Sequence, residues 1–239
     1  MNRGKFAIKI LLLFFIFSQV SIARALTTSG VLTDNEIWSG KVYITGDVVV
    51  PEGITLTIKA NTVINFTPYK SDYDVKIPVV SGLGAEKCNL IIEGNLIVQG
   101  DKNKRVVIGS EDKLSWGGII FKGANIDSIV KYARIMNADI GILCVDSSFV
   151  KLIGNEIVKN DVGVMTFGLS SAKMINNKIQ TNNLCGIISG GDSRPTIAEN
   201  MISGNGIGIL FEDSSKPFIF NNKLKENLKD IQDNREKSD

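Results

Sequence analysis

The stretch NGIGILFEDSSKPFIFNNKL, residues 205–224, decides how the rest of the chain is read. Glycines sit among isoleucines, a polar turn follows, and a second short apolar run ends in paired asparagines. The same plan recurs upstream. Its central triplets are Ile119-Ile120-Phe121, Ile142-Leu143-Cys144, Val164-Met165-Thr166, Ile187-Ile188-Ser189 and Ile209-Leu210-Phe211, spaced 23, 22, 23 and 22 residues. Asn155, Asn177, Asn200 and Asn222 keep that step, and Ile157, Ile179, Ile202 and Leu224 stand two residues after each. A further series follows at Asn160, Asn182, Asn205 and Asn227. Independent series sharing one period mark a solenoid.

The apolar runs are short, β-branched and broken by Gly, Asn and Ser, so they read as strands between turns. Helical repeats are longer and need apolar residues at three-four spacing. Each period is therefore one coil, stacked in parallel on its neighbours about 4.8 Å away. Asparagine tolerates the left-handed backbone of a sharp bend. Stacked copies can bond amide to amide, so Asn155, Asn177, Asn200 and Asn222 are expected to form an internal ladder. Gly141, Gly163, Gly186 and Gly208 recur beside the bend and read as backbone accommodation.

Strict alternation assigns the faces. It turns Ile140, Val162, Cys185 and Ile207 inward, then Ile142, Val164, Ile187 and Ile209, then Cys144, Thr166, Ser189 and Phe211. Cys144 and Cys185 would lie two coils apart, beyond the roughly 7 Å a disulfide spans. Between the last two slots, Ile120, Leu143, Met165, Ile188 and Leu210 should point outward. An apolar outward stripe suggests either an interaction face for a partner or a second copy, or a surface covered by a long insertion at 67–88.

The repeat NDVGVMTFGLSSAKMINNKIQTN (160–182) resembles the right-handed parallel β-helix family of pectin-lyase-like and periplasmic NosD-like proteins. WSGKVYITGDVVVPEGITLTIKANTVINF (38–66) is similar to the opening coil of β-helix surface proteins. LIIEGNLIVQGDKNKRVVIGS (90–110) and WGGIIF (116–121) are similar to the next two. The resemblance implies an all-β, right-handed parallel β-helix of about nine coils over residues 26–232, with 233–239 as a polar tail. It is weak for chemistry, because this fold carries lyases, hydrolases, binders and scaffolds alike.

Residues 1–25 read as a signal peptide: Arg3, Lys5 and Lys9 precede an apolar run, and Ala23-Arg24-Ala25 has the cleavage pattern. The chain is then exported, to the periplasm, cell surface or medium, and is not an integral membrane protein once cleaved. The whole chain holds 27 Lys+Arg and 25 Asp+Glu. The leader takes four cations, leaving 23 against 25, a net of −2. Without a basic field, a nucleic-acid partner is excluded. There is no histidine, which removes the commonest metal ligand. Copper favours His, Cys and Met, so no metal cofactor is expected, calcium entering only if the protein is a lyase.

Paired carboxylates, as glycoside hydrolysis needs, and converging oxygens, as calcium needs, are not visible on the repeats. The outward positions are Glu156, Lys178, Met201 and Lys223 on one side and Lys151, Lys173, Thr196 and Phe218 on another. Tyr69 and Tyr73 could stack on sugars, and Asp72, Asp74, Glu111 and Asp112 could accept sugar hydroxyls or bind a cation. Trp116 reads as packing at a coil corner, and Asp192 with Arg194 as a surface pair. The expectation is an exported β-helix module, non-catalytic, binding or scaffolding on polysaccharide or the cell envelope. The alternatives are a polysaccharide lyase or glycoside hydrolase acting near 67–88, and an adhesive surface protein self-associating through the apolar stripe.

Overall fold

A computed structural model describes residues 25–67, 87–110, 116–123 and 127–235. Each coil there is built of three short strands. Ala138–Val145 is followed by Phe149–Ile153 and Glu156–Val158, and the next coil begins at Val162–Thr166. Each strand pairs in parallel with its copy one coil on, for example Ile142 with Val164, Lys151 with Lys173 and Glu156 with Lys178. The molecule is thus an all-β parallel β-helix, with no helix among the described residues.

Stacking the coils gives three rows of strands. The second row is an eight-stranded sheet running from Glu36–Trp38 to Phe218–Phe220. The first and third rows share the ten-residue strand Lys41–Val50. Its start pairs with Val63–Phe66 and its end with Asn89–Ile92. Leu26–Val31 lies along that same strand at the N-terminal edge. The interior is a column of aliphatic side chains, with Trp38, Phe66, Trp116 and Phe121 among them in its N-terminal half. Trp116 is fully buried and stacked on Phe66 with ring centroids 4.1 Å apart. Its Nε1 donates to the Met136 carbonyl at 3.0 Å. Packing is the role the structure gives this residue.

Two asparagine ladders run along the axis. Asn155 donates its backbone N–H and its Nδ2 to Asn177 Oδ1, at 2.9 and 3.0 Å. Asn177 does the same to Asn200, and Asn200 to Asn222. Each spare Nδ2 hydrogen reaches back to a carbonyl of the second row, as from Asn177 to Leu152 at 2.9 Å. The series Asn160, Asn182, Asn205 and Asn227 repeats this pattern at the next corner. The interior amides of both ladders thereby find partners for Oδ1 and for both Nδ2 hydrogens, as burial requires.

Two expectations need correction. The left-handed residue at each bend is not the ladder asparagine but the one before it. Gly154, Asn176, Glu199 and Asn221 have positive φ at one corner, and Lys159, Thr181, Gly204 and Glu226 at the other. The bend demands this conformation whatever residue stands there, and the amide after it is then aimed inward.

The second correction concerns facing. Ile140, Val162 and Cys185 do not enter the main core. They belong to a separate apolar cluster with Leu143, Met165 and Ile188, and Ile207 packs partly buried against it. Ile142, Val164, Ile187 and Ile209 are in the core. Alternation fails at the intervening glycine: Ile140 pairs with Val162 and Ile142 with Val164 at one constant offset, with no pairing between them, and against Trp116–Lys122 the register shifts between Ile140 and Ile142. The glycines are required by close approach. A Cβ on Gly163 would stand 2.5 Å from the Gly186 carbonyl oxygen and 3.0 Å from Asn182 Nδ2.

Candidate functional site

In the third row, Ile135, Ile157, Ile179 and Ile202 point into the core. Alternation is unbroken in these short strands, so their neighbours point out. One outward file is Arg134, Glu156, Lys178, Met201 and Lys223. The other is Met136, Val158, Gln180, Ser203 and Lys225. The bend residues Lys159, Thr181, Gly204 and Glu226 stand out beside this second file. Arg134, the second file from Val158 onward and the bends enclose a shallow polar groove of about 360 Å³, open to solvent. A second depression continues it around the corner to Asn183 and Leu228.

The groove crosses five coils, roughly 19 Å at about 4.8 Å per step. Gln180 Nε2 donates to Ser203 Oγ at 2.8 Å, and Lys225 Nζ lies 3.3 Å from Glu226 Oε1. Beside its start, Arg105 donates to the Gly154 carbonyl at 2.9 Å and lies 3.5 Å from Glu156. The guanidinium also sits over the Tyr132 ring. The lining carries Arg134, Lys159 and Lys225 against Glu226, three cations to one anion.

The groove differs from the places singled out in the sequence. Tyr69, Asp72, Tyr73, Asp74, Glu111 and Asp112 lie outside the described residues. Asp192 and Arg194 are exposed on a turn. Between them Ser193 is buried and bonded to Ser189 and Thr166 at 3.0 and 3.2 Å. The groove was not foreseen because no single coil announces it: its members recur one period apart, in positions that look like ordinary solvated side chains.

The apolar stripe is not an open face. Ile120, Leu143, Met165, Ile188 and Leu210 are all buried, from 0 % exposed at Met165 to 9 % at Leu210. With Ile91, Ile140, Val162 and Cys185 they form the second apolar cluster. The insertion expected to cover them falls, apart from Thr67, Lys87 and Cys88, outside the described residues. Beside the cluster, Lys87 Nζ holds the buried Asp139 carboxylate at 2.5 Å.

All three cysteines are free and buried. Cys144 lies in the main core and Cys185 in the cluster on the opposite side of the same sheet. Burial raises the Cys144 thiol to about 12, slightly offset by Ser148. Burial and the nearby Asp47 raise Cys88 to about 11. Burial and Glu212 raise Cys185 to about 11. These values lie above the ordinary 9.0. Their contribution to stability is therefore complete below pH 9 and is lost as pH rises toward 11 and 12. The thiols are expected to resist a thiol-disulfide reagent at pH 8 and to react only on denaturation. Rapid titration of any one in the native protein contradicts this burial.

The described residues thus present a shallow polar groove along one row of a parallel β-helix. The chain belongs to the NosD family: the family described as "Periplasmic copper-binding protein (NosD)" matches residues 35–239. This family is periplasmic, in agreement with an exported chain. No curated protein and no solved structure matches the chain. No helix of the described residues is long and apolar enough to cross a membrane.

The family description raises copper, and the residues can be tested against it. Among the described residues no three of His, Cys, Asp and Glu gather where they could hold a metal ion. Cys185 and Met165 share the second cluster, whose other buried members, Ile91, Ile120, Ile140, Leu143, Val162, Ile188 and Leu210, offer no donor atom to complete a metal site. Cys144 and Met174 are locked in the main core. The described donor set does not fit a copper site.

Proposed function

We propose that the protein is an exported, non-catalytic β-helix scaffold that binds an acidic envelope polysaccharide along the third-row groove. The observation that supports this reading is the repetition of donors at one-coil intervals. An extended polymer meets Arg134, Lys159, Gln180, Ser203 and Lys225 in succession. No one coil needs a deep pocket, because many weak contacts along a groove add up. The excess of three cations over one anion favours carboxylated or otherwise anionic chains. The same lining lacks the paired carboxylates that glycoside hydrolysis uses.

The test is affinity electrophoresis of the native protein through gels holding acidic or neutral polysaccharide. Retardation is expected in the acidic gels alone, and it should weaken as salt is raised. Lys159→Glu with Lys225→Glu should weaken binding about tenfold, equivalent to about 1.4 kcal/mol. Equal retardation of the native and double-variant proteins rules out this groove. Release of new reducing ends or unsaturated products from any polysaccharide rules out the non-catalytic assignment.

A further inference from the structure

The second row turns a different face to solvent from the other two. Val98, Val130, Leu152, Met174 and Ile197 point into the core, so the residues beside them point out. One outward file reads Thr57, Ile97, Ile129, Lys151, Lys173 and Thr196. The other reads Lys59, Gln99, Lys131, Ile153, Ile175 and Ala198. The four lysines are exposed, and the four isoleucines lie half-buried among them. No strand residue of this row from Thr55–Lys59 to Thr196–Ala198 is acidic. The outer side of the first row is the second apolar cluster, and the third row mixes Arg134 and Lys178 with Glu156. Lys151 and Lys173 stand directly opposite each other on paired strands, where like charges work against the fold. Among the described residues no carboxylate forms an ion pair with either. Lys151 Nζ lies 6.0 Å from the centroid of the Phe149 ring.

We propose that this face docks on an anionic lipid bilayer surface. The charge complementarity is one-sided: Lys59, Lys131, Lys151 and Lys173 share a face without an acid, in a chain whose whole net charge is only +2. An anion is what the opposed pair Lys151 and Lys173 lacks, and a surface dense in phosphodiester headgroups offers one to each ammonium. The face crosses six strands, roughly 24 Å at about 4.8 Å per step. Lysine stems can lie along the sheet while their charged tips reach the headgroups. The isoleucines decide between lipid and sugar. A polysaccharide presents hydroxyls along its whole length, and Ile97, Ile129, Ile153 and Ile175 have no donor or acceptor to meet them. Apolar side chains set among cations suit the boundary between headgroups and acyl chains. The third-row groove shares no residue with this face, so each surface can hold its own ligand.

Co-sedimentation of the exported protein with lipid vesicles tests this. Binding is expected to vesicles of equal parts phosphatidylcholine and phosphatidylglycerol but not to phosphatidylcholine alone, and it should weaken as salt is raised. Lys151→Glu with Lys173→Glu should lower the anionic-vesicle partition roughly tenfold or more. Lys159→Glu with Lys225→Glu, in the groove, should leave that partition as in the native protein. Fluorescence gives a readout that does not rely on charge. Ile153→Trp should shift its emission to the blue on anionic vesicles. Leu184→Trp, at a 49 % exposed position on the corner before Cys185–Ser189, should not. Trp38 and Trp116 are buried and give a constant background. Equal binding to both kinds of vesicle overturns the proposal. So does a partition that Lys151→Glu with Lys173→Glu leaves unchanged, or a blue shift at Leu184→Trp equal to that at Ile153→Trp. Loss of retardation in acidic polysaccharide gels by the Lys151 and Lys173 variant, with vesicles unbound by the native protein, would assign the face to a polysaccharide and also overturn it. Groove and face are tested by separate variants, so either reading can fail alone.

Discussion

Asn177→Ala should be among the most damaging single substitutions in the chain, lowering stability by roughly 3–5 kcal/mol. The side chain sits in the middle of the first ladder and is 1 % exposed. Its Oδ1 accepts from both the backbone N–H and the Nδ2 of Asn155. Its Nδ2 serves Asn200 and the Leu152 carbonyl. Truncation leaves two donors of Asn155 buried without partners and takes one hydrogen bond from the Leu152 carbonyl. Each such group costs about 1–3 kcal/mol, and water cannot enter a column this tight to replace the amide. Asn183→Ala is the control. That side chain is exposed and reaches only Asp161, at 2.7 Å, so its loss should change stability by no more than about 0.5 kcal/mol. Urea midpoints of the two variants measure the contrast. Similar midpoints would mean that the ladder carries little of the fold's stability.

Gly163→Ala should cost about 3 kcal/mol, the upper end of what overpacking usually does. The methyl group would lie 2.5 Å from the Gly186 carbonyl oxygen, which is backbone and cannot rotate away. It would also press on Asn182 Nδ2 and Ile179 Cγ2, both at 3.0 Å. One added carbon therefore pushes the next coil and the second ladder together. Gly53 offers the comparison: its φ is +83° and nothing lies within 4 Å of a Cβ there. Gly53→Ala meets only the left-handed penalty of about 1–2 kcal/mol. Thermal unfolding should rank Gly163→Ala clearly below Gly53→Ala; the reverse order would show that the glycine file is not tightly packed.

The period, the one-coil-per-period stacking and the core residues from Ile142 to Ile209 were legible because each is repeated, so that coils corroborate one another. The errors arose where one local rule was carried through a glycine. Alternation holds for Ile142, Leu143 and Cys144 but breaks at Gly141, and Ile140 consequently faces away from the core. Sequence alone does not say that the strand changes its facing at a glycine, since the 22-residue offset is the same on either side of it. The second ladder was visible as a series of asparagines, yet its hydrogen bonds depend on the left-handed residue standing just before each member. That residue is variously Lys159, Thr181, Gly204 and Glu226, so composition hides it. The groove was harder still. It is made of polar side chains 22 or 23 residues apart, and any one coil contributes only two or three of them.

The ladders also bear on how such a chain changes length. Asn155 and Asn177 occupy interchangeable sites, each giving two hydrogens to the next amide and one to a carbonyl behind it. Excising 155–176 would set Asn177 where Asn155 stood, with every interior contact of the same chemical kind. Of the two 23-residue steps between central triplets, the one from Val164 to Ile187 sheds its surplus residue at a corner beside the half-exposed Leu184, and the one from Ile119 to Ile142 takes it up as a register shift within the strand Ala138–Val145. Growth or shrinkage by whole turns is therefore almost silent inside, while anything less than a turn must be absorbed at a corner or as a local shift of register.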